Sequence, residues 1–395
     1  MVKGLKILIV GAGIGGLALA RVLALRGADV TVLEQAPEIA EVGAGLQISP
    51  NGLAVLRALG LAGALEASGA VLADTVQLKD YRGAGVLKLD LTQLSPQKYY
   101  FVHRADLIEL LAEGARAAGV KIQLLQKVES VEDGPLARII LASGEVREAD
   151  LIVGCDGVHS VVRGALNGAE KPFFTGNAAW RATVPNLWGR RSDVQVHMGP
   201  RRHLVSYPLK GGAMVNLVAV EEQRKWLAES WMQEDDPANL QAAFDDFGAE
   251  AKAMLAEVRE VKQWGLFRHP VAVRWHGESL ALLGDAAHPT LPFLAQGAVM
   301  ALEDAWAMGV ALDRAERLSQ GLETYQLWRR ARAEKVINTA TGNAWKYHLS
   351  FGPLRFAAHS VLRLGGAVAP MQMLKQFDWL YGYDVTTDLP VQNQR

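Results

Sequence analysis

Gly11, Gly13 and Gly16 stand as G-x-G-x-x-G directly after the apolar run 7–10, and Glu34 closes a second apolar run over 29–33. Glycines at this spacing let the chain turn tightly, bring backbone N–H groups against a pyrophosphate and pack a helix closely on a strand. The helical pattern that begins at once (Leu17, Ala20, Ala24) aims about half a positive charge at that anion. A carboxylate about 20 residues further on accepts hydrogen bonds from a ribose diol. A lone G-x-G-x-x-G also occurs in packing turns that bind nothing. Strand, turn, helix, strand and acid in register read instead as a dinucleotide site.

The elements that must position such a site follow from the rest of the chain. Its 395 residues, 50% hydrophobic, suffice for two or three structural domains. The net charge of −1, without blocks of like charge or a basic aromatic stripe, makes nucleic acid and anionic membranes poor partners. Cys155 is the only cysteine, which excludes an internal disulfide and Cys-based zinc or iron–sulfur sites; no metal site is expected. The apolar stretch up to Leu25 imitates a signal-peptide core, but it is a strand and a glycine turn containing Arg21. No run reaches the roughly 20 apolar residues of a membrane helix. A cytoplasmic protein is the expectation.

Ser49 and Pro50 open a helix with Leu53, Leu56 and Leu59 on one face, Ser49 as its cap. Residues 75–91 alternate as a hairpin, and a helix runs from Arg104 to about Ala118. Short strands near 121–125 and 128–132, a hairpin turning at Ser143-Gly144, and a strand over 149–153 lead into Gly154-Cys155-Asp156-Gly157. Strands then cluster near 176–184, 194–198, 203–209 and 214–220, separated by Gly, Pro and Arg turns, as in an antiparallel sheet. Helices are expected over 222–233 and 239–258, with a strand near 261–267. A buried-type strand over 279–283 ends in Gly284-Asp285, then come helices over 297–312 and from 319 toward 348.

Three separated motifs line up: the N-terminal fingerprint with Glu34; Asp156-Gly157-Val-His-Ser160-Val-Val-Arg163; and Gly284-Asp285-Ala-Ala-His-Pro289 with Pro292, Ala295-Gln296-Gly297-Ala298 and Glu303-Asp304. Here the chain resembles the class A flavoprotein aromatic hydroxylases, single-component FAD monooxygenases. Within them it is most similar to the salicylate and 3-hydroxybenzoate hydroxylases and to relatives acting on hydroxypyridine carboxylates. The resemblance covers residues 5 to 350, with a further likeness of the tail at 379–385. It implies an α/β fold: a Rossmann-like FAD-binding domain of the glutathione-reductase type, an inserted, mainly antiparallel substrate domain and a C-terminal helical region. The expected division is 1–75, 100–172 and 270–318 for FAD, 76–99 and 173–269 for substrate, and 319–395 for the helical region.

By the same resemblance, Gly11, Gly13, Gly16 and Glu34 hold the ADP half of FAD, and Arg104 contacts its pyrophosphate region, where a guanidinium fork suits the anion. Asp156 serves FAD and the approaching NAD(P)H; a structural pairing with Arg163 competes with that role. Asp285 accepts hydrogen bonds from the ribityl chain. Gly297 and Ala298 begin a helix whose N–H groups face the flavin pyrimidine. Gly45, Leu46 and Gln47, in Gly43-Ala-Gly-Leu-Gln47, form a loop beside the isoalloxazine, an ordinary glycine-rich turn being the other reading.

The chemistry implied is reduction of FAD by NADH or NADPH, addition of O2 to the flavin as a hydroperoxide, and hydroxylation of a ring activated as its phenolate. A phenol with pKa near 10 needs a base poised near neutrality, the range of histidine. His203, Val205 and Tyr207 share one face of a strand, and similar His…Tyr pairs line the pocket in the 3-hydroxybenzoate type of enzyme. His203 is thus the general base and Tyr207 a substrate-orienting donor, their Cα atoms roughly 13 Å apart so that they bracket a substrate. A structural sheet histidine is the alternative. His288 reads as a turn-shaping residue, and Pro292 resembles the proline beside the reacting ring. Pro292-Phe293-Leu294 is apolar where some relatives are polar, so a substrate carboxylate must be met elsewhere, with Arg181, Arg201 and Arg202 as candidates. A flavin oxidase or dehydrogenase and a non-catalytic FAD-fold binding protein share the motifs and stay open. The tail aromatics Trp379, Tyr381 and Tyr383 suggest a homodimer contact.

Overall fold

Five short apolar strands pair in parallel, in the order Leu280–Leu282, Leu151–Gly154, Lys6–Val10, Asp29–Leu33, Lys121–Gln123. This computed structural model describes residues 2–39, 44–94, 98–190, 192–224 and 233–390. The central strands carry continuous rather than alternating apolar residues because both faces of the sheet are covered. The helix Ile14–Ala24 packs against Arg104–Ala117 and Gly297–Arg314, while an antiparallel meander of Val128–Glu132, Ala137–Leu141 and Val146–Ala149 meets the central strands. Parallel strands all point one way, so whatever follows them emerges at one edge. Gly11 follows Val10, Glu34 follows Leu33, Cys155-Asp156 follow Gly154, and Leu283-Gly284-Asp285 follow Leu282.

The second sheet has eight strands in the order Glu234–Asp235, Val261–Arg268, Phe173–Pro185, Met214–Glu222, Arg202–Leu209, Asp193–Gly199, Thr75–Asp80, Gly85–Asp90. All its pairings are antiparallel except that of Asp193–Gly199 with Thr75–Asp80. Alternate residues therefore face opposite ways. On one face Trp180, Leu204, Leu217 and Ala219 pack against Phe244, Phe247 and Met254. On the other, register sets His203 opposite Val220, Val205 opposite Val218 and Ala179 opposite Trp264. The 30-residue helix Leu318–Tyr347 packs on Gly297–Arg314, and the helices Gly352–Val368, Pro370–Lys375 and Asp378–Tyr381 follow.

Several sequence expectations change. The single helix over 239–258 is two, Pro237–Ala243 and Ala249–Ala256. Phe244 and Phe247 turn into the core between them, and a Cβ on Gly248 would lie 2.4 Å from the Arg82 carbonyl oxygen. Most of the helix expected over 222–233 lies outside the described residues, and Glu222 ends a strand. Gly43 is also outside them. Gly45, Leu46 and Gln47 form a strand, not a loop: Gly45–Ile48 pairs with Tyr100–His103. The Gly45 N–H donates to Asn216 Oδ1 at 2.7 Å, joining the two halves of the molecule. A Cβ there would stand 2.6 Å from the Tyr207 ring, so only glycine fits without displacement. Ser49 precedes Pro50–Ala58 without capping it; its hydroxyl donates to Asn51 Oδ1 instead. The tail aromatics pack within the chain: Tyr381 meets Tyr99 edge-on, and Lys335 and Arg332 lie over Trp379 and Tyr383.

Candidate active site

A cavity of about 640 Å³ opens between the carboxyl edge of the parallel sheet and the free face of the eight-stranded sheet. Gly11, Gly13, Glu34, Gly45, Leu46, Gln47, Arg104, Asp156, His203, Tyr207, Asp285, Pro292, Gly297 and Ala298 all line it; Gly16 does not. The three glycines of the fingerprint divide their work. Gly11 (φ +101°) takes a backbone conformation that side chains disfavour, with the Cys155 carbonyl oxygen 2.6 Å from where a Cβ would sit. Gly13 has nothing within 4 Å of its absent Cβ and stands at the N-terminus of Ile14–Ala24, which no side chain caps. Gly16 presses helix on strand, its absent Cβ 2.1 Å from the Gly11 oxygen.

Glu34 bridges the turn, its Oε2 accepting from the Ala12 N–H at 2.7 Å and its Oε1 from the Ala36 N–H at 2.9 Å. Asp156 Oδ2 accepts from the Val161 N–H at 2.8 Å, while buried Oδ1 has no hydrogen-bond partner among the described residues. The alternative pairing with Arg163 is absent from its hydrogen bonds: Arg163 donates to the carbonyls of Ala286, Ala287 and Pro270 and to Glu170. Burial raises the Asp156 carboxyl, partly offset by hydrogen bonds from Ser160 and nearby N–H groups. Asp285 is exposed to the cavity, with protein walls around it. Desolvation by those walls raises its carboxyl too, against the pull of His288 and Arg104. Arg104 is pulled down to about 10 by burial and by Arg181, with Asp285 opposing. Gly297 and Ala298 form the first turn of an 18-residue helix whose N-cap residue, Gln296, supplies no side-chain cap. Uncapped helix starts, an orphaned carboxylate oxygen and an open glycine face suit a dinucleotide's phosphates and hydroxyls.

His203 and Tyr207 stand on the strand Arg202–Leu209 with Val205 between them, all facing the cavity. Both are almost fully buried. Burial, and then His348, push the His203 imidazole well below 6.5, so it rests as a neutral base. Burial raises the Tyr207 hydroxyl, keeping it a protonated donor, with Arg181 opposing. Pro292 opens a single turn, Pro292–Leu294, that sets Phe293 edge-on to His203 at 5.5 Å. Of the three arginine candidates only Arg181 reaches the cavity, its guanidinium 5.0 Å from the Trp264 ring centre and its Nε without a hydrogen-bond partner among the described residues. Arg201 and Arg202 pair with Glu222 and with Asp246 at the surface.

Behind the cavity lies a buried ionic cluster that motif reading does not reveal. Arg329 donates to Asp304 Oδ1 at 2.7 Å and Glu303 Oε2 at 2.6 Å, all three residues having no exposed surface. Arg332 and Asn51 also bind Glu303, and His288 binds Asp304 Oδ2 at 2.5 Å. His288 thus ties the Gly284-Asp285 turn to the helix Gly297–Arg314, as a turn-shaping residue would. Arg332 also donates to the carbonyls of Trp379 and Leu380, which ties the tail to the helix Leu318–Tyr347. His348 and Trp264 are further residues near the site that motif reading passes over; each comes from an element without a motif.

The cleft at the strand ends of the parallel sheet faces the eight-stranded sheet, an arrangement with room for a dinucleotide between the two. The chain belongs to the family described as FAD binding domain, whose sequence model matches residues 4–340. It is 36% identical over 362 residues to 3-amino-4-hydroxybenzoate 2-monooxygenase of Streptomyces cremeus, covering 89% of this chain and 90% of that one. It is 32% identical to 3-hydroxybenzoate 6-hydroxylase of Polaromonas naphthalenivorans (strain CJ2), covering 96% of each. A solved salicylate hydroxylase substrate complex superposes with a TM-score of 0.82 at 22% identity over 99% of this chain and 100% of that one, a likeness of fold. The protein is an FAD-dependent monooxygenase, which draws electrons from NAD(P)H and oxygen from O2. No helix among the described residues is long and apolar enough to cross a membrane.

Proposed function

We propose that this enzyme hydroxylates a small phenolic aromatic acid of the salicylate, 3-hydroxybenzoate or hydroxypyridine carboxylate class. The observation that carries the reading is the shared wall: His203, Tyr207 and Arg181 face one cavity with Val205, Val218, Val220, Trp264 and Leu266. Bound FAD, reduced by the nicotinamide, supplies the oxygen-transferring chemistry. The protein's part is to bind, orient, ionise and keep dry. His203 accepts the phenol proton, Tyr207 donates to the substrate, and Arg181 meets the carboxylate as a paired charge. Pro292, Phe293 and Leu291 close the ring-binding space with apolar surface, limiting the water that would divert oxygen to H2O2.

In the same reading segments 1–75, 100–172 and 270–318 bind FAD, 76–99 and 173–269 form the substrate domain and 319–395 the helical region, a division supported by the strand membership of the five-stranded and eight-stranded sheets. Gly11, Gly13, Gly16 and Glu34 take the ADP half of FAD and Arg104 its pyrophosphate. Asp156 and Asp285 accept its hydroxyls, and Gly45, Leu46, Gln47, Gly297 and Ala298 flank the flavin. Asp285→Ala is expected to purify mostly as apoprotein, read from the ratio of flavin to protein absorbance. Undiminished occupancy would contradict the role of Asp285. A screen of hydroxybenzoates and hydroxypyridine carboxylates tests the function itself. One class should stimulate NAD(P)H oxidation and yield a product carrying one oxygen atom from isotopically labelled O2, with the carboxylate either kept or released as CO2. Hydrogen peroxide or a desaturated product from every compound would mark an oxidase or dehydrogenase instead.

A further inference from the structure

His203 does not end at its own ring. Its Nδ1 lies 2.7 Å from His348 Nε2, and His348 Nδ1 lies 3.2 Å from Glu222 Oε1. His203 and His348 are almost fully buried, whereas Glu222 is 36% exposed in its side chain. Three titratable groups thus form a single file from the cavity wall to the surface. The outer end sits in a second cleft of about 600 Å³, lined in part by Glu222, His348, Arg201 and Trp345. Two backbone hydrogen bonds hold the file together. The Arg201 N–H donates to the His348 carbonyl at 3.1 Å, and the Glu222 N–H donates to the Arg201 carbonyl at 2.9 Å.

We infer that His348 and Glu222 extend His203 into a proton relay that carries the substrate's phenolic proton to solvent. The inference rests on the reading of His203 as the phenol base. One tautomer satisfies every contact: His203 Nδ1–H donates to His348 Nε2, His348 Nδ1–H donates to Glu222, and His203 Nε2 keeps its lone pair for the cavity. The phenol O–H bond breaks and its proton goes to His203 Nε2. The Nδ1 proton passes to His348 Nε2, the His348 Nδ1 proton passes to Glu222, and the carboxyl releases it to water. No electron changes hands, and no imidazolium has to persist in the buried site. His348 caps the C-terminal end of the helix Leu318–Tyr347, where the aligned peptide dipoles favour a passing positive charge. Burial lowers the His348 imidazole at rest while Glu222 opposes it. The other charged or titratable groups facing the file are Tyr347 beside His203, Tyr207 and Arg181 on the cavity wall, Arg201 against Glu222, and Arg224 and Arg268 at the outer cleft.

His348 and Glu222 do not line the cavity and act through His203, so they are positioning residues, and turnover alone does not test them. The decisive experiment mixes FAD-loaded enzyme with 3-hydroxybenzoate, or the best substrate of the screen, without NAD(P)H. Phenolate absorbance and proton release to a dye are followed by stopped flow between pH 6 and 9. For His348→Gln, which keeps a hydrogen-bonding group but passes no proton, both signals should slow at least tenfold and lose the wild-type pH profile. Glu222→Gln should slow proton release and Glu222→Asp should restore it; imidazole added to His348→Ala should restore phenolate formation. Wild-type rates and pH profile in His348→Gln would overturn the relay. If His348→Gln fails to fold, the Glu222 pair decides, and equal proton release in Glu222→Gln and wild type would overturn it. A wild-type enzyme that hydroxylates the phenol without ionising it on binding would remove His203 as base, and the relay with it.

Discussion

Replacing His203 with alanine is expected to lower kcat/KM for hydroxylation by about 10²–10⁴-fold, the usual contribution of a positioned general base. That corresponds to about 3–5 kcal/mol of transition-state stabilisation. Substrate-free reduction of the flavin should fall far less, because nothing in that step needs the phenol ionised, and the fraction of oxygen released as peroxide should rise. The pH profile carries a second signature. Burial, then His348, set the imidazole well below 6.5, so the wild-type acid limb of kcat/KM should lie below pH 6.5. As pH falls through that limb the base is protonated and activity is lost. In His203→Ala the limb should vanish, and the rate should climb toward pH 10 as the phenol ionises by itself. His203→Gln, which keeps most of the side-chain volume, should behave alike. Equal loss of hydroxylation and of substrate-free reduction would remove His203 from the chemistry.

Arg329→Met should be the most destabilising single change, at about 3–5 kcal/mol, the cost of stranding buried partners. The guanidinium is fully buried against Glu303 and Asp304. Arg332 and His288 remain as partial counterweights, which keeps the expected loss near the lower end of that range. The comparison is Arg330→Met, which breaks the half-exposed pair with Glu334 and an exposed hydrogen bond to the Val273 carbonyl, and should change stability by less than about 1 kcal/mol. Acid titration separates the two further. Burial pushes the Asp304 carboxyl up, but His288 and Arg329 outweigh it and bring it down to about 2. Its stabilisation is therefore full above pH 3.8, the ordinary aspartate value, and is lost as pH falls toward 2. Without Arg329 the depression shrinks, and the acid-unfolding midpoint should move upward. An unchanged midpoint and an unchanged urea transition would show that the cluster contributes little to stability.

The parallel half of the fold was legible because its signals are local. Each apolar strand is followed at once by its turn residue, and parallel order then gathers Gly11, Glu34, Asp156 and Asp285 at one edge without any long-range information. The period of two likewise put His203 and Tyr207 on one face. What escaped was encoded in pairs distant along the chain. Arg329 finds Glu303 and Asp304 one helix earlier, and His348 finds His203 across 145 residues. In sequence Arg329 lies in a long charged helix running from 319 toward 348, and no local signal sets it apart from the other charges there. The break between Pro237–Ala243 and Ala249–Ala256 did leave a trace, the glycine at 248 beside two phenylalanines, outweighed by apolar spacing on either side. The tail looked exposed because its aromatics have no periodic partner; Arg332 and Lys335 cover them from another element.

The hydrogen bond from Gly45 to Asn216 is one of several polar ties between the half of the protein proposed to grip FAD and the half that walls the cavity, alongside Lys210 to Asp106, Gly211 to Gly69 and His269 to Val158. These ties use positions other than the cavity-facing ones of the sheet, so inheritance can vary that wall separately. Exchanging every second residue along three neighbouring strands (181 on one, 203, 205 and 207 on the next, 218 and 220 between them) would reshape the chamber while leaving the foundation beneath it intact. A lineage could diversify its diet of aromatic compounds by such swaps and never have to reinvent how it holds its coenzyme.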